Sequence, residues 1–147
     1  MFSCGKVDPE AERVQIDIVH SELIATKETH DPALLSKVYA HDDDMVVLGT
    51  DDVERWIGWE NYKNVYDQMF ESFKNVDFSV SDQIIKIHES GKVAWFSEII
   101  DASIESQGEI TKIEGLRYTG VFEKRDGVWK VVQAHISSPV RGQIVKY

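Results

Sequence analysis

The chain has 147 residues, of which 42% are hydrophobic and 29% are charged, a composition typical of one folded domain with its own core. Its 26 acidic and 16 basic residues give a net charge of -10, which disfavours binding to phosphate backbones and to anionic membranes. No apolar run approaches the roughly 20 residues that a transmembrane helix needs. We therefore expect no nucleic-acid partner and no membrane span.

The N-terminal segment MFSCGK contains the single cysteine, Cys4, so no internal disulfide can form and the fold depends on its core. We expect residues 1–9 to be a flexible terminus and the protein to be cytoplasmic. The alternative is a bacterial lipoprotein or periplasmic protein. FSCG is similar to the end of a lipoprotein signal, although the apolar segment that such a signal requires is missing.

Two segments near the N-terminus have the sequence pattern of a helix start. Asp8-Pro9 and Asp31-Pro32 each place a capping aspartate before a proline, which suits the first helical position. The first pattern predicts a helix that fades near Thr29, and the second predicts a shorter helix that ends near His41. For the first helix we predict a buried stripe at helical spacing, made of Ala11, Val14, Ile18, Leu23 and Ala25.

The next segment contains a tryptophan in an acidic connection. Residues 45–49, MVVLG, predict a first strand, and residues 49–58 predict a loop that carries Asp51, Asp52 and Trp56. Since large aromatic side chains usually bury most of their area, we expect this loop to fold over something apolar. A third helix follows, with an aromatic stripe made of Tyr62, Val65, Tyr66, Met69, Phe70 and Phe73.

From residue 76 onward the apolar period changes to that of strands. Turn residues at 90–91, 107–108 and 126–127 divide four predicted strands, at 76–88, 92–105, 109–124 and 128–138. Three helices followed by a long antiparallel meander predict an α+β domain with its helices on one face of the sheet. We assign this domain to residues 10–139 and a C-terminal tail to residues 140–147.

The last hairpin fixes which side chains face the core. A two-residue turn at Asp126-Gly127 would pair odd positions with even ones, whereas a three-residue loop that includes Arg125 pairs even with even. We predict the second register. It places Leu116, Tyr118, Gly120, Phe122, Lys130, Val132, Ala134 and Ile136 on the inner face.

The strand VAWFSEIID is apolar on both faces, which is unusual for an antiparallel sheet with one face in water. We expect a second subunit to cover its outer face, and therefore a homodimer. The predicted dimer face comprises Trp95, Arg117, Thr119, Val121, Val131, Gln133 and His135.

Three segments, read in order, identify a family resemblance. GTDDVERWIG before an aromatic helix, then KVAWFS, then LRYTGVFEKRDGVWKVVQAHISSP, resemble the SnoaL-like branch of the NTF2-like superfamily. The resemblance spans about residues 10 to 139. It implies a cone, in which a curved antiparallel sheet wraps around three N-terminal helices and encloses an apolar pocket. It also implies dimers formed through the sheets and, given the known members, a bacterial protein, but no particular reaction.

The predicted pocket residues are Trp56, Tyr66, Phe96, Glu98, Tyr118, Phe122 and Ala134. The leading hypothesis is a protein that binds a small apolar or aromatic molecule, with Trp56 as a lid. A rival hypothesis is a cofactor-free isomerase, cyclase or dehydratase that uses Glu98 as a general base, since apolar surroundings raise a carboxyl pKa. A third is a non-catalytic dimeric assembly module whose pocket is filled by its own side chains. Cavity volume separates it from the other two, since ligand cavities typically exceed roughly 300 Å³.

The sequence predicts no metal site and no cofactor. The five histidines show neither an HxH nor an HExxH spacing, and the acidic run after His41 lacks the glycine and distal glutamate of a calcium loop. No glycine-rich phosphate loop is present.

Overall fold

The computed structural model describes residues 7–146, so Cys4 and most of the predicted flexible terminus lie outside the described residues. The order of elements is α1 (Pro9–Thr29), α2 (Pro32–Val38), β1 (Val46–Leu48), β2 (Arg55–Ile57), α3 (Trp59–Glu71), β3 (Phe73–Ile87), β4 (Val93–Ser106), β5 (Glu109–Arg125) and β6 (Val128–Ser137). The three helices pack against a six-stranded sheet and enclose the core. The predicted α+β cone is confirmed.

Both predicted helix starts are confirmed by their caps. The Asp8 carboxylate accepts hydrogen bonds from the backbone N–H groups of Glu10 and Ala11, and Asp31 caps Ala33 and Leu34 in the same way. Each cap satisfies backbone donors that the first helical turn leaves unpaired.

The buried face of α1 differs from the predicted stripe. Val14 and Ile18 are 60% and 55% exposed, whereas Leu23 is buried as predicted, together with Ile16, His20, Ile24 and Thr26. The prediction failed because two buried positions carry polar side chains. A stripe drawn through apolar residues alone is therefore rotated away from the true core face.

The sheet is mixed, with the order β2-β1-β6-β5-β4-β3. All neighbouring pairs are antiparallel except β1 and β6, which run parallel, with Val47 opposite Ala134. The predicted sheet was antiparallel throughout, and β2 was predicted as loop. Residues 55–57 instead pair with β1, so Trp56 lies opposite Val47 in a strand.

The β5–β6 hairpin corrects the predicted register. Arg125 pairs with Val128 across the two-residue turn that the prediction rejected, and a register shift then occurs between Val121 and Phe122. Such a bulge inserts one extra residue and changes which side chains share a face. Even positions therefore pair with even ones only on the side of the bulge away from the turn. There Tyr118 lies opposite Ile136, whereas the predicted register would place it opposite Ala134.

Val131 is the predicted dimer-face residue that this bulge moves. It is fully buried opposite Phe122, and its carbonyl accepts a hydrogen bond of 2.9 Å from the Ala40 backbone N–H. Its place in the core comes directly from the change of parity at the bulge. Trp129, on the same strand, is also buried, and its indole N–H donates to Glu12.

No helix in the described part of the chain is long and apolar enough to cross a membrane.

Candidate functional site

An apolar cavity of about 190 Å³ lies between α3 and the inner face of the sheet. It is smaller than the roughly 300 Å³ of typical ligand sites, but larger than the apolar cavity of about 150 Å³ that holds benzene. Its apolar and aromatic walls include Val47, Trp56, Tyr62, Tyr66, Met69, Phe70, Phe73, Phe78, Ile100, Leu116, Tyr118, Ala134 and Ile136. A compact ligand of about one ring fits these dimensions.

Four of the seven predicted pocket residues line this cavity: Trp56, Tyr66, Tyr118 and Ala134. Phe96, Glu98 and Phe122 are buried in the adjacent core but are not part of its lining. The separation follows the length of the sheet. Phe96 and Glu98 precede Ile100, which is the first β4 residue that reaches the cavity.

Trp56 is half-buried and is held in place by the structure on both sides of it. Its ring centroid lies 5.8 Å from that of Tyr62, and its strand pairs with β1. The preceding turn is closed by Glu54, whose carboxylate accepts hydrogen bonds from the backbone N–H groups of Thr50 and Asp51. Trp56 is therefore a fixed wall at the edge of the cavity, whereas the prediction made it part of a loop.

Tyr66 has a structural hydrogen bond at the base of the cavity. Its hydroxyl donates to the backbone carbonyl of Thr26, which connects α3 to α1. Burial raises the pKa of the Tyr66 phenol, so it stays protonated and keeps this bond. Its ring lies 4.3 Å from that of Phe70, so Tyr66 belongs to both the core and the cavity wall.

Among residues 7–146, one cation lines the cavity, and it was not predicted from the sequence. Lys27 lies on the buried side of α1, where its ammonium donates to the hydroxyl of Tyr62 and, at 3.4 Å, to that of Tyr39. Tyr118 lies close to both phenols, with its oxygen facing the hydroxyl of Tyr39, and no acceptor for its own proton is found among residues 7–146. We call Lys27, Tyr39, Tyr62 and Tyr118 the donor cluster.

Two phenols of the donor cluster, those of Tyr39 and Tyr118, have raised pKa values and are protonated at neutral pH. Burial raises the pKa of Tyr118 well above its usual value, and the nearby Tyr62 raises it further. Burial likewise raises the pKa of Tyr39, with Tyr118 and Tyr62 adding to the effect. Both phenols therefore remain hydrogen-bond donors.

Glu98 forms a second polar cluster, in the core beside the cavity. It is 3% exposed, and its Oε2 lies 2.8 Å from His20 Nε2 and accepts a bond of 3.0 Å from Gln83 Nε2. No partner for Oε1 is found among the described residues. His20, itself 4% exposed, also packs edge-on against Phe96, with ring centroids 5.0 Å apart.

Irregular backbone brings Gln83 to this carboxylate. The β3–β4 pairing shifts register between Ser81 and Ile84, and Asp82 adopts a positive φ of 50°. A bulge of this kind redirects a side chain that regular pleating would point elsewhere. Neither His20 nor Gln83 was identified from the sequence.

His20 could have been indicated by a helical row of residues spaced four, three and four apart. The row consists of Ile16, His20, Leu23 and Lys27.

Among residues 7–146 no group of three or more metal-ligating side chains is arranged to hold an ion.

Comparisons with known proteins identify the family of this chain. The model of the SnoaL-like domain matches residues 16–141, so the chain belongs to the SnoaL-like domain family. This confirms the resemblance found in the sequence. No match was found among the curated proteins.

Solved structures share the fold at low sequence identity. An NTF2-like superfamily protein from Salmonella enterica serovar Typhimurium is 15% identical, with a TM-score of 0.82 over 93% of this chain and 97% of that one. An NTF2-like protein of Streptomyces avermitilis, provisionally named a dehydratase, is 15% identical, with a TM-score of 0.79 over 90% and 99%. A protein of Novosphingobium aromaticivorans, provisionally named a scytalone dehydratase, is 17% identical, with a TM-score of 0.74 over 89% and 86%. At these identities the likeness concerns the fold alone.

Proposed function

We propose that the protein binds a compact apolar or aromatic molecule in the cavity between α3 and the sheet. The observation that carries the proposal is the cavity itself, which has aromatic walls and space for about one ring. An assembly module would gain stability by filling this space with its own side chains, because packing voids cost free energy. We take Trp56 to be a fixed aromatic wall that the ligand contacts at the edge of the cavity.

Replacing Trp56 with alanine tests this function. We expect single-ring aromatic compounds to raise the melting temperature of the wild type, and Trp56→Ala to weaken their binding roughly tenfold, since it removes one aromatic wall. Binding is measured by thermal shift and by calorimetry. Val53→Ala, a change at an 80% exposed position in the same segment, is the control and should bind as the wild type does. A wild type that binds no such compound would contradict the proposal.

A second candidate function is a cofactor-free isomerase, cyclase or dehydratase, and the His20–Glu98 pair favours it. A buried carboxylate with one unpartnered oxygen could accept a proton, with the imidazole holding its other oxygen. Tyr118, which lines the cavity, is the cross-strand neighbour of Glu98. Turnover lost in Glu98→Gln, with ligand binding retained, would support catalysis. Unchanged turnover in that variant would exclude Glu98 as the base.

We also propose that the outer face of the sheet forms a homodimer. Ile84 and Trp95 are 55% and 43% exposed there, and Ile99 and Val121 lie beside them half-buried. The polar members of the face are Arg117, Thr119, Gln133 and His135. A specific interface should bury at least about 1,000 Å² in total, and a central tryptophan is a typical anchor for one.

A charge placed on this face should separate the subunits. We expect the wild type to sediment at about twice the 16.8 kDa of one chain and Trp95→Asp to sediment as a monomer, because the interface would have to bury an unpaired carboxylate. Val14→Asp alters an equally exposed apolar residue on α1 and should leave the dimer intact. A monomeric wild type at micromolar concentration would remove the proposal.

A further inference from the structure

The donor cluster marks one end of the cavity as chemically distinct from the rest. The walls elsewhere are mostly apolar, with Thr50 and Glu54 at the β1–β2 turn, whereas Lys27, Tyr62 and Tyr118 bring an ammonium and two hydroxyls to the lining. All three groups can donate hydrogen bonds. An otherwise apolar pocket with a few convergent polar groups uses those groups to orient its ligand.

Lys27 has no anionic partner in the described part of the chain. It forms no salt bridge there, and its contacts are the hydroxyls and the ring faces of Tyr39 and Tyr62, with Nζ 5.1 Å from the centroid of the Tyr62 ring. The one carboxylate in the cavity lining, that of Glu54, is occupied by backbone N–H groups of its own turn. A partly buried ammonium is stabilised best when an anion completes its shell.

Tyr118 is a second, independent indication of a missing acceptor. It is 3% exposed, it lines the cavity, and its hydroxyl has no hydrogen-bond partner among residues 7–146. A buried hydroxyl without a partner costs free energy, which a ligand oxygen at this position would recover. The same kind of ligand atom would therefore stabilise both Lys27 and Tyr118, namely an oxygen that accepts hydrogen bonds and carries negative charge.

We infer that the ligand is a single-ring acid whose carboxylate is bound by Lys27 and Tyr118 while its ring occupies the apolar part of the cavity. This inference rests on the proposed binding function and adds the chemical class of the ligand. The net charge of -10 repels anions at a distance, but screening by salt limits that effect to about 8 Å at physiological ionic strength. Inside the cavity, the contact with one ammonium at low dielectric dominates.

Three probes of similar size separate charge recognition from apolar binding: benzoate, its neutral isostere benzamide, and toluene. We expect calorimetry at neutral pH to show that the wild type binds benzoate at least about tenfold more tightly than benzamide. Lys27→Met, which keeps the length of the side chain and removes its charge, should abolish this preference and leave toluene binding unchanged. Lys63→Met alters an exposed lysine on α3 and should behave as the wild type.

Tyr118→Phe provides a test that does not depend on the stability of the lysine variant. It removes a hydroxyl that has no partner, so the variant should fold at least as stably as the wild type, yet its preference for benzoate should fall several-fold. Equal binding of benzoate and benzamide by the wild type, with toluene still bound, would overturn the inference and leave the proposed function standing. Failure of all three probes would overturn both. A Lys27→Met variant that loses toluene as well would show that Lys27 only packs, and the inference would be wrong.

Discussion

Replacing His20 with leucine should destabilise the protein by about 1–3 kcal/mol, the typical cost of leaving a buried polar group without one of its hydrogen-bond partners. Glu98 would be left in the core with Gln83 as its remaining hydrogen-bond partner. A buried oxygen that loses a partner in this way is not compensated by water. Urea denaturation, followed by circular dichroism, measures the loss as a lower midpoint.

An exposed ion pair on the same helix supplies the control. Arg13 and Asp17 are 44% and 48% exposed, so Asp17→Asn should cost no more than about 0.5 kcal/mol. The double variant His20→Leu, Glu98→Leu should recover most of the stability lost in the single one, because well-packed apolar side chains can replace a buried pair at little cost. Equal, small losses in His20→Leu and Asp17→Asn would show that the pair contributes nothing.

Adding a single methyl group at Gly120 should destabilise the fold by about 1–3 kcal/mol, the usual cost of overpacking a core. A Cβ at this position would lie 2.4 Å from Phe96 Cε1 and 2.8 Å from the backbone carbonyl oxygen of Gln133. The aromatic ring is fixed between Tyr118 and Phe122, and the carbonyl belongs to the neighbouring strand. Neither can move away without disturbing the sheet.

The loss in Gly120→Ala should appear as a lower urea midpoint with an unchanged slope. Ser97→Ala, at an exposed position on β4, is the matched control and should lie within about 0.5 kcal/mol of the wild type. A Gly120→Ala variant as stable as the wild type would mean that β5 and β6 can separate at this point without cost.

Local signals in the sequence were sufficient for the elements and the family. Asp8 and Asp31 cap their helices as predicted, and the change of apolar period near residue 76 marks the change from helix to sheet. The hairpin register was not predictable in the same way. It depends on a bulge between Val121 and Phe122, whose position is decided by packing across the sheet and by no turn residue.

The predicted site was limited by the use of apolar residues to find buried surfaces. The alternation of side chains along β4 correctly predicted that Glu98 faces the core. Its partner His20 lies on the buried face of α1, which apolar periodicity does not reveal because that face carries polar residues. Lys27 was missed for the same reason, since a lysine on a helix is normally assumed to face solvent. His20 and Lys27 are therefore both polar residues on the buried side of α1.

The parallel pairing of β1 with β6 links the beginning and the end of the chain. Val47 and Leu48 supply one wall of the cavity and Ala134 and Ile136 supply the wall beside it, with almost the whole sheet encoded between them. A pairing between segments so distant in sequence costs loop-closure entropy, and it requires both strands to have been synthesised. During synthesis this side of the cavity therefore cannot form until β6 has left the ribosome.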